Sequence, residues 1–459
     1  MRMSDLFRLV LFVSLALLIF APTFLSAGTQ GNIGINVVLN TDINPAILAD
    51  LGRYGKVRDL VYEIRAVTML APSSMLSTIQ NLSYVAAANP DAVRNGSPVD
   101  TVLATNFTGG FSTWDMDAIN VTSAPGTNTR AVAYDGTGVY VAVLDTGLLN
   151  TWRQYFPQER IATQFAKSFG GGGAAGINTS EQPNKWEQDT NSHGTHVTST
   201  ILGYSLLGTP INGVAPMATV IPVKVLNQNG SGWSSVIARG IVYVADLKIG
   251  TLTGHPLVIN MSLGGSALDA MEKAAIDYAI SQGVIVVASA GNEGLSGMGY
   301  PGAYAPVISV AASGWTGEWI GGSSWWLTGN VAEPTSASDF YITDFSSRAL
   351  AGQDLDVAAP GSWIVGPFQE NSGKVNYFFL GGTSMASPHV AGIVALMTQK
   401  DPALTASEAE TILENSAIPL PPGCRDVTQP DGSIVHTCWT ANATGAGLAT
   451  ADAALAATP

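Results

Sequence analysis

From about residue 112 onward, short apolar runs alternate with segments whose apolar residues recur at helical spacing. The pattern predicts strands at VYVAVLD (139–145), ATVIPVKVL (218–226), PLVINMSLG (256–264), VIVVASAG (284–291), PVISVAAS (306–313) and LDVAAPG (355–361). Between them, SSVIARGIVYVADL (234–247) and ALDAMEKAAIDYAISQG (267–283) read as helices. Continuous apolar strands alternating with helices imply an α/β fold: a doubly wound, mostly parallel sheet covered on both faces. In such sheets, sites form outside the carboxyl ends of the strands.

The amino-terminal part follows a different pattern. GINVVLN (34–40) and VRDLVYEIRAVTML (57–70) read as strands, PAILADLGRYG (45–55) and SSMLSTIQNLS (73–83) as short helices, and YVAAANP (84–90) as a closing strand. This order predicts a small α+β module of ferredoxin-like type. The stretch 94–113 is polar, rich in Gly and Thr and without periodicity, so an exposed linker is expected there. Before the module, Arg2 and Arg8 flank or precede an apolar run from Leu9 to Phe20, and small residues follow at Ser26, Ala27 and Gly28. That is the layout of a secretory signal peptide, with an uncleaved membrane anchor as the alternative. The expected divisions are 1–27 signal peptide, 28–105 amino-terminal module and linker, and 106–459 main domain.

Composition narrows the function classes. Apolar residues make up 46% of 459 and charged residues 12%, with 50 glycines, which fits a packed globular chain. A net charge of −14 excludes a basic nucleic-acid-binding surface as the main function. Export makes a local disulfide the expected state of Cys424 and Cys438, and neither lies near residues that suggest chemistry. The segment 315–345, with Trp315, Trp319, Trp325 and Trp326, reads as a long loop, for which internal packing and substrate contact stand as equal alternatives.

Three short stretches carry candidate chemistry. GGTSMASPHVAG (381–392) puts two glycines and two hydroxyl residues before small, apolar residues: a helix start with Pro388 in its first turn, or a nucleophile at a helix N-terminus. SHGTHV begins at Ser192 and supplies His193, for which a structural histidine or a metal pair with His196 are the alternatives. A His-Glu-x-x-His pattern is absent, so zinc-peptidase chemistry is not supported. Asp145 ends an apolar strand before Thr146-Gly147, where it could orient an imidazole or simply terminate the strand. A second Asp-Thr-Gly or Asp-Ser-Gly, which an aspartic peptidase would need, does not occur in the chain.

Taken together and in this order, VAVLDTGL, NSHGTHV and GTSMASPHVAG resemble the three active-site motifs of the subtilisin-like serine peptidases, the subtilases. The resemblance runs from about residue 112 to GAGLATADAAL, and residues 29–95 resemble the family's inhibitory propeptide. It implies a subtilisin-like sheet and a secreted serine endopeptidase, made as a self-processed zymogen and acting through an acyl-enzyme. Ser384 would be the nucleophile, His193 the general base and then acid, and Asp145 the orienting group. SAGNEG (289–294) resembles the oxyanion segment, which makes Asn292 a donor beside the Ser384 N–H.

The resemblance also implies a groove in which a peptide is gripped as an added strand. NMSLGG would form one wall and Gly230, Ser231, Gly232 and Trp233 the other. Ser262, Leu263, Gly264, Gly265, Ala290, Gly291 and Gly299 would line a wide first pocket with Glu293 at its rim. Trp233, Val236 and Leu263 would make an apolar fourth pocket. Implied partners are protein or peptide substrates and the chain's own propeptide as intramolecular inhibitor. No nucleic acid is implied, a membrane is met only through the signal segment, and the enzyme is expected to be a monomer.

No cofactor is implied for catalysis. The family's strongest calcium site takes an aspartate shortly after the Asp-Thr-Gly turn, and LLNTWRQYFP (148–157) offers none, although Asn212 is kept in the following loop; structural calcium elsewhere in the chain stays open as an alternative. Thr198-Ser199-Thr200 stand where the family has Ala-Gly-Thr, so helix packing there should differ. A catalytically silent subtilase-fold binding protein, or a narrow-specificity processing protease or transpeptidase, are the alternative functions.

Overall fold

A computed structural model describes residues 31–105, 113–122, 129–173, 177–182, 184–320, 331–369 and 375–459. The predicted signal segment, Trp325 and Trp326 lie outside these residues. No helix among them is long and apolar enough to cross a membrane.

The amino-terminal module runs β1 (Asn32–Leu39), α1 (Pro45–Leu51), β2 (Lys56–Val61), β3 (Ala66–Pro72), α2 (Leu76–Gln80) and β4 (Val85–Pro90). Its four strands form an antiparallel sheet in the order β2-β3-β1-β4, the ferredoxin-like arrangement expected. The long apolar stretch 57–70 is split by a turn at Tyr62–Ile64 that closes through Arg65 at φ 51°. Alternation sorts the residues of β1: Ile35, Val37 and Leu39 enter the module's own core, while buried Asn36 faces the main domain.

The chain then makes two short strands, β5 (Val93–Asn95) and β6 (Asp100–Leu103). The expected exposed linker is therefore partly in strands. Its regularity is invisible to periodicity because the partners of both strands lie far along the chain. Residues 106–112 lie outside the described part.

The main domain follows with α3 (Trp114–Ala118), β7 (Tyr140–Asp145), β8 (Lys167–Gly172), β9 (Ile177–Glu181), α4 (His193–Leu202), and the hairpin β10 (Gly203–Leu206) and β11 (Thr209–Asn212). Next come β12 (Thr219–Lys224), β13 (Ser231–Trp233), α5 (Ser234–Ile249), β14 (Leu257–Met261), α6 (Ala270–Ser281), β15 (Ile285–Ser289) and β16 (Ile308–Trp315). The remaining elements used below are β17 (Phe340–Ile342), β18 (Val357–Pro360), β19 (Ile364–Gln369), β20 (Val375–Gly381), α7 (Thr383–Lys400), and the hairpin β21 (Gly423–Thr428) and β22 (Ile434–Trp439).

A nine-stranded sheet has the order β17-β16-β15-β14-β7-β12-β8-β9, with β18 also beside β16. Its centre is parallel throughout, from β16 through β15, β14, β7 and β12 to β8. Alternate residues of β7 show why its whole run is apolar: Val141 and Val143 enter the core shared with α4 and α7, Ala142 and Leu144 the core shared with α5 and α6. The two tryptophans of 315–345 that are described pack internally. Trp315 stacks on Trp114 with centroids 6.3 Å apart, and buried Trp319 meets Phe379 at 4.8 Å.

Candidate active site

The carboxyl ends of the central strands carry the predicted site. Asp145 is the last residue of β7 and is fully buried. One carboxylate oxygen accepts from the Thr146 N–H at 2.6 Å. The same carboxylate faces His193 Nδ1, with N–O distances of 2.9 and 3.0 Å. His193 is the first residue of α4, whose start is tied to the Asp145 turn through Thr146 Oγ1: this hydroxyl accepts from the Gly194 N–H and donates to Asp189. The approach is too close for any side chain at 194, since a Cβ there would lie 2.4 Å from the Gly147 carbonyl oxygen.

The geometry presents His193 as a group with one engaged nitrogen and one open one. Nδ1–H is committed to Asp145, and Nε2 is buried without a hydrogen-bond partner among the described residues. His196 plays another part: its Nε2 lies 3.0 Å from the Ile364 carbonyl, and burial pushes its pKa down to about 3, which keeps it neutral. Among the described residues, the clusters of potential ligand side chains, of which Cys424/His436/Cys438 is already closed by a disulfide, include neither histidine of the SHGTHV stretch. Among the described residues, the metal-pair reading therefore finds no third ligand.

Ser384 is the second residue of α7, so its N–H is among those a helix leaves without an internal partner. Its hydroxyl donates to the Ser262 carbonyl at 3.2 Å and makes no hydrogen bond to His193. Pro388 sits beyond the first turn, inside the helix, which corrects the expected placement. The displacement has a consequence: proline has no N–H to give the carbonyl four residues back. That carbonyl belongs to Ser384, and it accepts instead from Ser262 Oγ at 2.8 Å. Ser262 Oγ is in turn held by Asn260 Nδ2 (3.0 Å), and Asn260 Oδ1 accepts from Ser387 at 2.7 Å. The end of β14 thus clamps the start of α7. Asn260 opens the NMSLGG stretch, but its clamping role is not legible there because its partners Ser262 and Ser387 are brought together only by the fold.

Asn292 lies beside this helix start. Its Oδ1 accepts from the Thr383 N–H (2.9 Å) and Thr383 Oγ1 (2.8 Å), which leaves the Nδ2 amide as a donor on the other side. The predicted first-pocket segments meet at their base: Gly265 and Tyr300 exchange N–H···O bonds of 2.9 and 2.7 Å, and Gly299 N–H donates to Ala290 O at 2.8 Å. Gly291 lies next to the Glu293 carboxylate, which accepts from Ser347 Oγ at 3.0 Å.

The two segments predicted as groove walls are bridged by the chain itself. β5 pairs antiparallel with β13, placing Asn95 opposite Ser231, Arg94 opposite Gly232 and Val93 opposite Trp233. On its other edge Asn95 exchanges two 2.9 Å bonds with Gly264. Gly96 N–H then donates to Gly230 O at 2.8 Å, and a Cβ on Gly96 would lie 3.4 Å from His193 Cε1. Three residues on, Val99 N–H donates to Gly381 O, and β6 adds to β20 on the edge opposite β19, making a three-stranded sheet.

The strand brings an ion pair beside the residues expected to form an apolar fourth pocket. Arg94 is fully buried, and its guanidinium meets the buried carboxylate of Glu272 on α6, with Nε 3.1 Å from both oxygens and Nη2 2.5 Å from one. Glu272 reads in the sequence as an ordinary helix residue, and its partner stands 178 positions away. The module also grips mid-α5, where Arg239 pairs with Asp59, and two helix starts. Asp91 accepts from the Ser235 N–H and Oγ at the start of α5, and Asp269, the cap of α6, accepts from Asn36 and Asn89.

Comparison with known proteins agrees with this architecture. The family model for the subtilase family matches residues 136–449. Subtilisin DY of Bacillus licheniformis is 34% identical over 295 residues, 63% of this chain and 88% of that protein. Thermitase of Thermoactinomyces vulgaris is 32% identical over 283 residues, 62% of this chain and 82% of its own. Subtilisin E of Bacillus subtilis is 35% identical over 289 residues, which span 61% of its length. Among solved structures, sphericase superimposes with a TM-score of 0.52 at 31% identity, covering 74% of this chain and 98% of its own. Fervidolysin of Fervidobacterium pennivorans gives 0.62 at 24% identity, covering 94% of this chain and 62% of its own, a likeness of fold alone. The chain belongs to the subtilase family of serine endopeptidases.

Proposed function

We propose that this chain is an exported endopeptidase made as a zymogen, in which Ser384 attacks the peptide carbonyl. His193 takes the Ser384 proton on Nε2 and later gives it to the leaving amine, while Asp145 holds the ring in that tautomer and stabilises the imidazolium. Before attack the Ser384 hydroxyl must turn from the Ser262 carbonyl toward His193. The oxyanion is met by Asn292 Nδ2 and the Ser384 N–H, two donors fixed before the reaction. No step in this chemistry calls on a cofactor.

One observation carries the zymogen reading. β5 lies in the groove as an added strand, bonded on one edge to Gly230–Trp233 and on the other to Gly264, and it leads past His193 at Gly96. A substrate would use the same backbone bonds. Residues 31–97 then act as an intramolecular inhibitor with a core of their own, released by self-cleavage within 97–113.

Covalent labelling tests the catalytic assignment. A fluorophosphonate should add one equivalent to Ser384 of the mature protein, and casein should be hydrolysed. Ser384→Ala should lose both, and His193→Ala should react far more slowly. A protein that neither labels at Ser384 nor cuts casein after removal of residues 1–97 is a silent shell and sinks the proposal.

A further inference from the structure

We infer that the groove contains an acidic fourth subsite, built on Glu272, that selects arginine four residues before the cleaved bond. The inference rests on the endopeptidase reading and goes beyond it to substrate class. Strand alternation fixes the count. Asn95 turns its N–H and C=O toward Gly264, and Gly96 turns its own N–H toward Gly230. The next residue, Ser97, therefore returns to the edge that carries Ser262 and Ser384. With Ser97 as the residue whose carbonyl meets the nucleophile, Arg94 occupies the fourth position before the cut.

The recognition is a fork on a carboxylate. Arg94 gives Nε and Nη2 to Glu272, Nη2 again to the Ala267 carbonyl at 2.9 Å and Nη1 to its neighbour's carbonyl, Val93, at 3.1 Å. Neither side chain has measurable exposure beyond 1%. Among the described residues, the Glu272 carboxylate has no partner other than Arg94.

Departure of the module would leave that carboxylate in the pocket without a counter-charge, and an unpaired buried charge is strongly unfavourable. A substrate arginine in the same position restores the pair. A lysine brings a point charge but no fork, and an apolar side chain leaves the carboxylate uncompensated. The subsite therefore discriminates by what it penalises as well as by what it holds. Asp269, at the start of the same helix, adds negative charge nearby and holds the first turn that carries Glu272 through its bonds to the Met271 and Glu272 N–H groups.

Matched internally quenched peptides test this on the mature enzyme. They carry Arg94-Asn95-Gly96-Ser97 with alanine in place of Pro98, and Arg, Lys, Leu or Ala at the fourth position. Active enzyme is counted by fluorophosphonate labelling of Ser384, so that each rate refers to folded sites. The expected order is Arg over Lys over Leu, with kcat/KM for Arg at least about tenfold above Leu, an advantage that Glu272→Gln abolishes and Glu272→Leu reverses.

Equal rates for Arg and Leu in the wild type overturn the inference, as does an arginine preference that survives in both variants. If casein is cut while no peptide in the series is, the subsite inference fails and the endopeptidase reading stands. If casein and labelling fail together, both fall.

Discussion

Asn292 is held by its oxygen and offers its nitrogen, which is the arrangement a preorganised oxyanion donor requires. Asn292→Leu should lower kcat by about 10²–10³ with little change in KM, as measured on casein-derived peptides. An unchanged kcat would move the oxyanion site elsewhere. The serine of the opposite wall acts through the backbone instead, because Ser262 Oγ supplies the bond that Pro388 cannot supply to the Ser384 carbonyl. Ser262→Ala should destabilise the protein by about 1–3 kcal/mol. In a Pro388→Ala background, where a helix N–H returns, the same change should cost less. Equal losses in the two backgrounds, measured by denaturant unfolding of Ser384→Ala protein, would contradict this account.

At the scale of elements, the segment after β16 makes a pH-dependent contribution. Glu318 is fully buried, accepts from the Trp315 N–H and lies within hydrogen-bond reach of Tyr341 and Ser362. Burial raises its pKa from 4.5 to about 8. The folded carboxyl holds its proton to higher pH than the unfolded one. Its contribution is therefore full below about 4.5 and is lost as pH climbs to about 8. Apparent Tm followed from pH 5 to 9 should fall less steeply in Glu318→Gln than in the wild type; parallel slopes would contradict the assignment. The hairpin β21–β22 makes a separate contribution, since Cys424 and Cys438 are cross-strand partners and form a disulfide. Replacing both by serine should cost at most about 3 kcal/mol, the chain-entropy limit for a loop of this size.

These elements also show what the sequence could and could not reveal. The central strands and α5 and α6 were legible because each buries a face of its own, so period and length mark them. Asp145, His193, Ser384 and Asn292 were legible because each lies in a short contiguous motif at the end of an element. β5 and β6 were not, because a three- or four-residue strand that borrows its partners from distant segments has no internal pattern. Glu272 and Arg94 were missed for the same reason. Each is ordinary in its local sequence, and their meaning comes only from the pair.

At the scale of the whole molecule, the small sheet has a core of its own around Ile35, Val37 and Leu39, and its Val61, Ile64 and Ala66 enter the large domain's core beside α5 and α6. Asn36, Asp91, Asp269 and Ser234 form one buried hydrogen-bonded group across that junction. From it β5 leads directly into the groove and past His193. On the proposed zymogen reading, a module attached in this way should be cut by the site that β5 enters. The decisive measurement is intact mass and amino-terminal sequence of the wild type beside Ser384→Ala, both expressed without residues 1–27. The account predicts that the wild type loses the module through a cut between residues 97 and 113 while Ser384→Ala stays full length. Identical processing of the two proteins, or a wild type that stays intact and inactive, would contradict it.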